Sequence, residues 1–165
     1  MWPRTRPFAL VAAAALLAAA GLVGCGGGGD NTLTKAEFVS KGDQICTDAH
    51  DQFAALQKNP PSTAAEAAAL TQKLIDISNS ELDQIRGLAA PADVQPALGR
   101  YLKAREQGIA LLKKGLAAAE GQNARAYAAA QAAITKGQVK RLKLAQAVGF
   151  SACSRPAGST ASSGQ

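Results

Sequence analysis

The chain has 165 residues and a net charge of +6, from 18 basic and 12 acidic side chains. Nearly half of it (47%) is hydrophobic, yet only 4% is aromatic, and alanine supplies much of the apolar content. That balance favours long helices in close contact over a bulky sandwich core, and no stretch alternates β-branched residues at period two, so an all-α domain is expected.

The first seven residues carry Arg4 and Arg6 and no acid, and Phe8 to Val23 follow without a charge. A spanning helix needs about 20 apolar residues, so this run fits the core of an export signal better. Leu22-Val23-Gly24-Cys25 closes it. Basic start, apolar run and L-V-G-C together resemble the signal and lipobox of a bacterial lipoprotein precursor. The alternative is an ordinary secretory signal cut nearby, or an uncleaved N-terminal anchor with an incidental thiol at Cys25. The resemblance implies that residues 1–24 are removed and that Cys25 carries a diacylglyceryl group. It places the mature chain at the extracytoplasmic face of the cell membrane. Each buried methylene contributes about 0.8 kcal/mol, and two acyl chains anchor stably where one does so only marginally. Residues 25–33 then form the lipidated cysteine and a glycine-rich flexible tether, whose reach of about 15–17 Å keeps the folded part near the bilayer.

Thr34-Lys35-Ala36-Glu37 is a capping box, in which hydroxyl and carboxylate each satisfy a free N–H of the helix start. The first helix runs to about Lys58, with Val39, Gly42, Cys46, Ala49, Phe53 and Leu56 as its seam. Asn59-Pro60-Pro61-Ser62 stops it, because proline cannot continue a helix. Thr63 to Glu66 is a second capping box. It opens a helix with Ala67, Leu70, Leu74, Ile77, Leu82, Ile85 and Leu88 on one side, bounded by Gly87 and Pro91. The third helix starts near Asp93, carries Val94, Leu98, Leu102, Ile109, Leu112, Leu116 and Ala119, and ends at Gly121. Asn123 caps the fourth, whose face holds Tyr127, Ala130, Ile134, Leu142, Ala145 and Val148. Gly149 sits where a C-terminal cap wants a left-handed residue. The expected fold is an antiparallel up-down-up-down four-helix bundle over residues 34–153, followed by a disordered tail at 154–165. Two splayed hairpins or a domain-swapped dimer are the alternative topologies.

Beyond Cys25 only Cys46 and Cys153 remain, and an exported domain with two cysteines left over pairs them. In a level bundle the end of the fourth helix lies beside the start of the first, while Cys46 is three turns further along. Either residues 150–153 turn back up the groove, or the first helix overhangs the bundle. His50 makes a C-x-x-x-H pair with Cys46, but structural zinc needs four ligands and oxidised cysteines bind no metal. No metal or other cofactor is therefore expected. One histidine cannot supply the two Glu-x-x-His motifs of a di-iron bundle, C-x-x-C-H is absent, and the only methionine is Met1. Phosphate-loop and zinc-protease motifs are also missing. No enzymatic activity is expected.

Charge is divided along the chain. Residues 25–95 hold 5 basic and 10 acidic side chains, net −5, and residues 96–165 hold 11 and 2, net +9. Arg105 falls inside the apolar stripe of the third helix. Folding helices two and three about residue 90 sets it level with Asp76, and Arg100 level with Glu81, as cross-helix ion pairs. Lys136, Lys140 and Lys143 share one face of the fourth helix, with Arg141 adjacent and Lys113-Lys114 on the third. A lysine face is ordinarily just solvated. Here it is also the expected contact for anionic lipid, wall polymer or an acidic envelope protein. Nucleic acid is not an expected partner, since no aromatic residues interleave with these lysines for stacking.

The segments EFVSKGDQIC (37–46) and VGFSAC (148–153), with the alanine-rich helices between them, resemble small helical lipoproteins of actinobacteria. That resemblance implies fold and location and carries no activity. The expected function is a lipid-anchored extracytoplasmic module acting by binding or scaffolding at the cell envelope. The alternative is a small-ligand or accessory binding subunit for an envelope transporter or sensor, which a pocket near Arg105 would favour.

Overall fold

The computed structural model describes residues 32–157. The signal segment, Cys25, the glycine stretch and tail residues 158–165 lie outside the described residues. Four helices, α1 (Lys35–Gln57), α2 (Ala64–Arg86), α3 (Gln95–Glu120) and α4 (Ala124–Val148), each pack on the next in sequence. They form the antiparallel four-helix bundle expected from the sequence.

Local chemistry sets the helix starts. Thr34 Oγ1 accepts the Glu37 N–H at 3.3 Å, while the Glu37 carboxylate accepts the Thr34 N–H at 2.9 Å. At α2, Glu66 collects the Ser62 N–H and hydroxyl at 2.7 Å each and the Thr63 N–H at 3.2 Å. These donors, the Thr34 and Ser62 hydroxyls foremost, hold both carboxyls below their usual range. The third helix begins at Gln95, later than Asp93, and has no side-chain cap. Pro96 stands in its first turn, where a missing N–H costs nothing. Asp93 instead pairs with Lys35 at 3.3 Å, tying the α2–α3 loop to the start of α1. Asn123 Oδ1 caps α4 by accepting the Ala126 N–H at 2.9 Å.

The third helix stops at Gly121, where the sequence places its end. Gly121 has φ −78°, and the left-handed residue is Gln122 at φ 53°. A side chain in that region costs roughly 1–2 kcal/mol, partly offset by the greater freedom glycine loses on folding. Gln122→Gly should therefore raise the unfolding free energy by about 0.5–1 kcal/mol in urea titration, where glycine in a loop normally lowers it.

Three contacts bring one set of helix ends together. The Leu33 N–H donates to Ala89 O at 2.9 Å, Lys35 meets Asp93, and Gly149 lies against Val39. The start of α1, the α2–α3 loop and the end of α4 thus share one end of the bundle. At the other end the α1–α2 and α3–α4 loops line a single 240 Å³ cleft between Pro61–Ala64 and Gln122–Ala124.

The core is concentrated at the first end. Phe38 stacks on Phe150 with ring centroids 5.5 Å apart, and Tyr101 meets the Phe150 ring edge-on at 5.8 Å. Val94, Leu98 and Val148 complete it. A smaller cluster of Ile75, Leu82 and Ile109 lies farther along. The buried faces keep Gly42, Cys46, Ala49, Ala67, Leu82, Ile85, Leu98 and Ile109 of the expected seams and differ from them at other positions. On α1 the face is Phe38, Gly42, Cys46 and Ala49, and Val39, Phe53 and Leu56 are only partly buried. On α2, Thr71, Ile75, Ser78 and Glu81 are buried, whereas Leu70, Leu74 and Ile77 are partly exposed. Likewise Tyr101, Ala104, Gly115 and Ala118 are buried on α3, and Leu102, Leu112 and Leu116 only in part. Long apolar side chains mark a face when backbones stand well apart. Alanine-rich helices approach more closely, so small residues occupy the contact. Thr71 is tolerated there because its hydroxyl donates to Ala67 O at 2.7 Å.

The junction after α4 resolves the cysteine geometry. Gly149, at φ 104°, reverses the chain. Phe150 then fills the space above Gly42, and the Asp43 carboxylate accepts the N–H groups of Ser151 and Ala152 at 3.1 and 2.7 Å and the Ser151 hydroxyl at 2.8 Å. The segment returns along α1 to place Cys153 in a disulfide with Cys46, Cα atoms 5.2 Å apart. Of the two routes open from the sequence, this is the first.

Candidate functional site

Polar chemistry gathers in the middle of the bundle. Glu81, 4% exposed, takes a guanidinium N–H of Arg105 on Oε2, and the Tyr101 hydroxyl stands 3.4 Å from Oε1. The pairing Arg105–Asp76 and Arg100–Glu81 expected from a level hairpin does not form. Arg105 goes to Glu81 and Arg86 goes to Glu106, while Asp76 accepts from Gln72. Side chains lean toward the N-terminus of their own helix. In an antiparallel pair, Arg105 leans toward the α2–α3 loop and Glu81 away from it, so residues offset along the axis meet. Burial pushes the Glu81 carboxyl above the usual range, against the opposing pull of Arg105 and Tyr101. Burial likewise raises the Tyr101 phenol.

The core beside Arg105 is open. One cavity of 150 Å³ is lined by His50, Glu81, Tyr101, Arg105, Arg141 and Arg155 among others. A second, of 190 Å³, is lined by Phe53, Ser78, Arg105, Gly108, Gln131 and Arg141. Arg105 and Arg141 border both. The Arg105 Nε is buried with no acceptor. Arg141 spends one N–H on Ile134 O at 3.1 Å, and burial followed by the charge of Arg105 holds its pKa down. His50 is half-buried, and burial first, then Arg105 and Arg155, lower its pKa against the pull of Asp51. Among the described residues no group of three or more His, Cys, Asp or Glu side chains is placed to hold a metal ion.

A separate basic face lies outside. Lys136, Lys140 and Lys143 are exposed on α4. Lys140 also lines a 310 Å³ groove between α3 and α4 with Arg100, Lys103, Ala104, Gln107 and Leu144. Arg100 and Lys103 were not expected to join the lysines. Their i, i+3 spacing was visible, but the register that sets them opposite Lys140 was not. Ion pairs among the described residues join Lys35–Asp93, Arg86–Asp83, Arg86–Glu106 and Arg105–Glu81, so none engages these five cations. No acidic residue follows Glu120 in the chain. At 1.5 Å per residue, the α4 lysines lie within about 18 Å of the helix end beside the start of α1, and Arg100 and Lys103 within about 12 Å. Lys113 and Lys114 belong to the opposite half. Val139, 62% exposed, stands among the α4 lysines.

No described helix is long and apolar enough to cross a membrane. No protein-family model, curated protein or solved structure matches the chain.

Proposed function

We propose that this protein is a lipid-anchored helical module that docks its α3–α4 face on anionic lipid at the extracytoplasmic surface of the cell membrane. The observation that carries this reading is the placement of Arg100, Lys103, Lys136, Lys140 and Lys143. Arg100, Lys103, Lys140 and Lys143 lie in the half of the bundle where the chain enters α1, Lys136 stands at the midpoint of α4, and no described carboxylate pairs with any of the five. With Cys25 lipidated and a short tether following it, that half is the one held next to headgroups. An exposed Lys or Arg near an anionic membrane contributes about 1 kcal/mol, and the attraction fades beyond a Debye length of about 10 Å at 0.1 M salt. Val139 would meet the same surface.

Binding of an unlipidated form starting at Asn31 to anionic and neutral vesicles tests the docking. Replacing Lys136, Lys140 and Lys143 together by glutamine removes about 3 kcal/mol of attraction, on the order of a hundredfold in affinity at low salt. Helicity by circular dichroism should not change, and the binding of the unsubstituted form should fall as salt rises. Equal binding to anionic and neutral vesicles means that the face is merely solvated.

A second reading, a small-ligand binding subunit, is favoured by the cavities at Arg105 and Arg141.

A further inference from the structure

We infer that the space shared by Arg105 and Arg141 is a binding site for a small oxyanion, such as phosphate or a short carboxylate. The inference rests on the small-ligand reading and is independent of the docking face.

Charge comes first. Arg105, Arg141 and Arg155 line the 150 Å³ cavity, and Glu81 is the only carboxylate on its wall among the described residues. Glu81 engages one terminal nitrogen of Arg105 and leaves the Nε buried without an acceptor. A buried donor left unsatisfied costs about 1–3 kcal/mol, which a turn of the guanidinium edge onto a ligand oxygen in the cavity would recover. Arg141 has its Ile134 carbonyl and no carboxylate partner among the described residues. Three guanidiniums thus line one half-buried space with a single described carboxylate, which is already paired. Burial, and after it the charge of Arg105, hold the Arg141 pKa down.

Shape comes second. A Cβ on Gly137 would stand 2.8 Å from Arg141 Nη1, and one on Gly108 3.8 Å from the same atom. The backbone therefore makes room for the guanidinium at Gly137, while a side-chain carbon at Gly108 would only touch it. At about 30 Å³ per water molecule, cavities of 150 and 190 Å³ each hold the volume of five or six waters. That suits an oxyanion of roughly five to eight non-hydrogen atoms. Arginine is the side chain for it, because its planar donor fork matches two oxygens of a carboxylate or phosphate. His50 sits on the same wall and offers a further hydrogen-bonding group.

The test is calorimetric titration of the full chain in non-ionic detergent, near neutral pH, with inorganic phosphate and with succinate against chloride of equal ionic strength. At least one probe should bind saturably at millimolar concentration. Arg141→Gln should weaken it at least about tenfold. Gly137→Ala displaces the guanidinium without removing charge and should weaken it less. It decides the matter if Arg141→Gln fails to fold. The Lys136, Lys140 and Lys143 glutamine variant should bind the probe as the unsubstituted chain does. Absence of saturable binding for both probes overturns the site, as does unchanged binding in the Arg141 and Gly137 variants. Loss of binding in the lysine variant would move the anion to the outer face, sinking this inference while leaving the docking reading intact.

Discussion

Replacing Cys46 and Cys153 together by alanine should lower the unfolding free energy by about 2–5 kcal/mol. The bond spans 107 residues of sequence. Chain-entropy reasoning puts the constraint on an unfolded loop of that length near the top of the range, and measured gains often fall lower. Position adds to the effect. Helix α1 packs on α2, whereas its attachment to α4 runs largely through the returning segment 150–153, held by Asp43 and by the disulfide. Without the bond, α1 should be the first element to lose amide-exchange protection. Urea titration of the oxidised protein and the double variant, at matched slope, measures the difference. A loss under about 1 kcal/mol would show that Asp43 and the Phe150 packing suffice alone.

Gly42→Ala should cost about 2–3 kcal/mol, the upper part of the range for overpacking a core. A Cβ at this position would stand 2.2 Å from Phe150 Cε1 and 2.7 Å from Cζ. The ring cannot retreat, because it is 1% exposed and lies between Phe38 and Tyr101. Phe150→Leu in the same chain should recover part of the loss by withdrawing the ring edge. The two substitutions together should therefore cost less than the sum of their separate effects. Strict additivity would mean that the aromatic cluster has room to shift.

The parts of the fold legible in the sequence are those fixed by neighbours along the chain. Both capping boxes, the Asn123 cap and the reversal at Gly149 depend on residues within one turn, and each stands where the sequence put it. The pairing of Cys46 with Cys153 followed from the expectation that Cys25 carries lipid, which leaves no other partner. What depends on inter-helix distance was harder to read. Thr71 and Ser78 are buried at a helix contact that a search for long apolar side chains passes over, and Phe38 and Tyr101 are buried against Phe150 of the returning segment, which no helix period shows. Glu81 was matched to Arg100 because the two stand level when the hairpin is folded about residue 90. Its burial is visible only once Arg105 is placed by side-chain lean as well as by axial level. The basic face was half legible. Its α4 members share a period, and its α3 members required the register.

The lipid on Cys25 is the premise on which the docking face acquires a surface to meet, and Cys25 lies outside the described residues. Metabolic labelling of cells with a fatty-acid analogue, comparing the unsubstituted chain with Cys25→Ser, tests it most directly. The thioether requires sulfur, so the unsubstituted protein should carry label and fractionate with membranes, and the serine variant should carry none. Equal labelling of the two, or no labelling of either, would contradict the account.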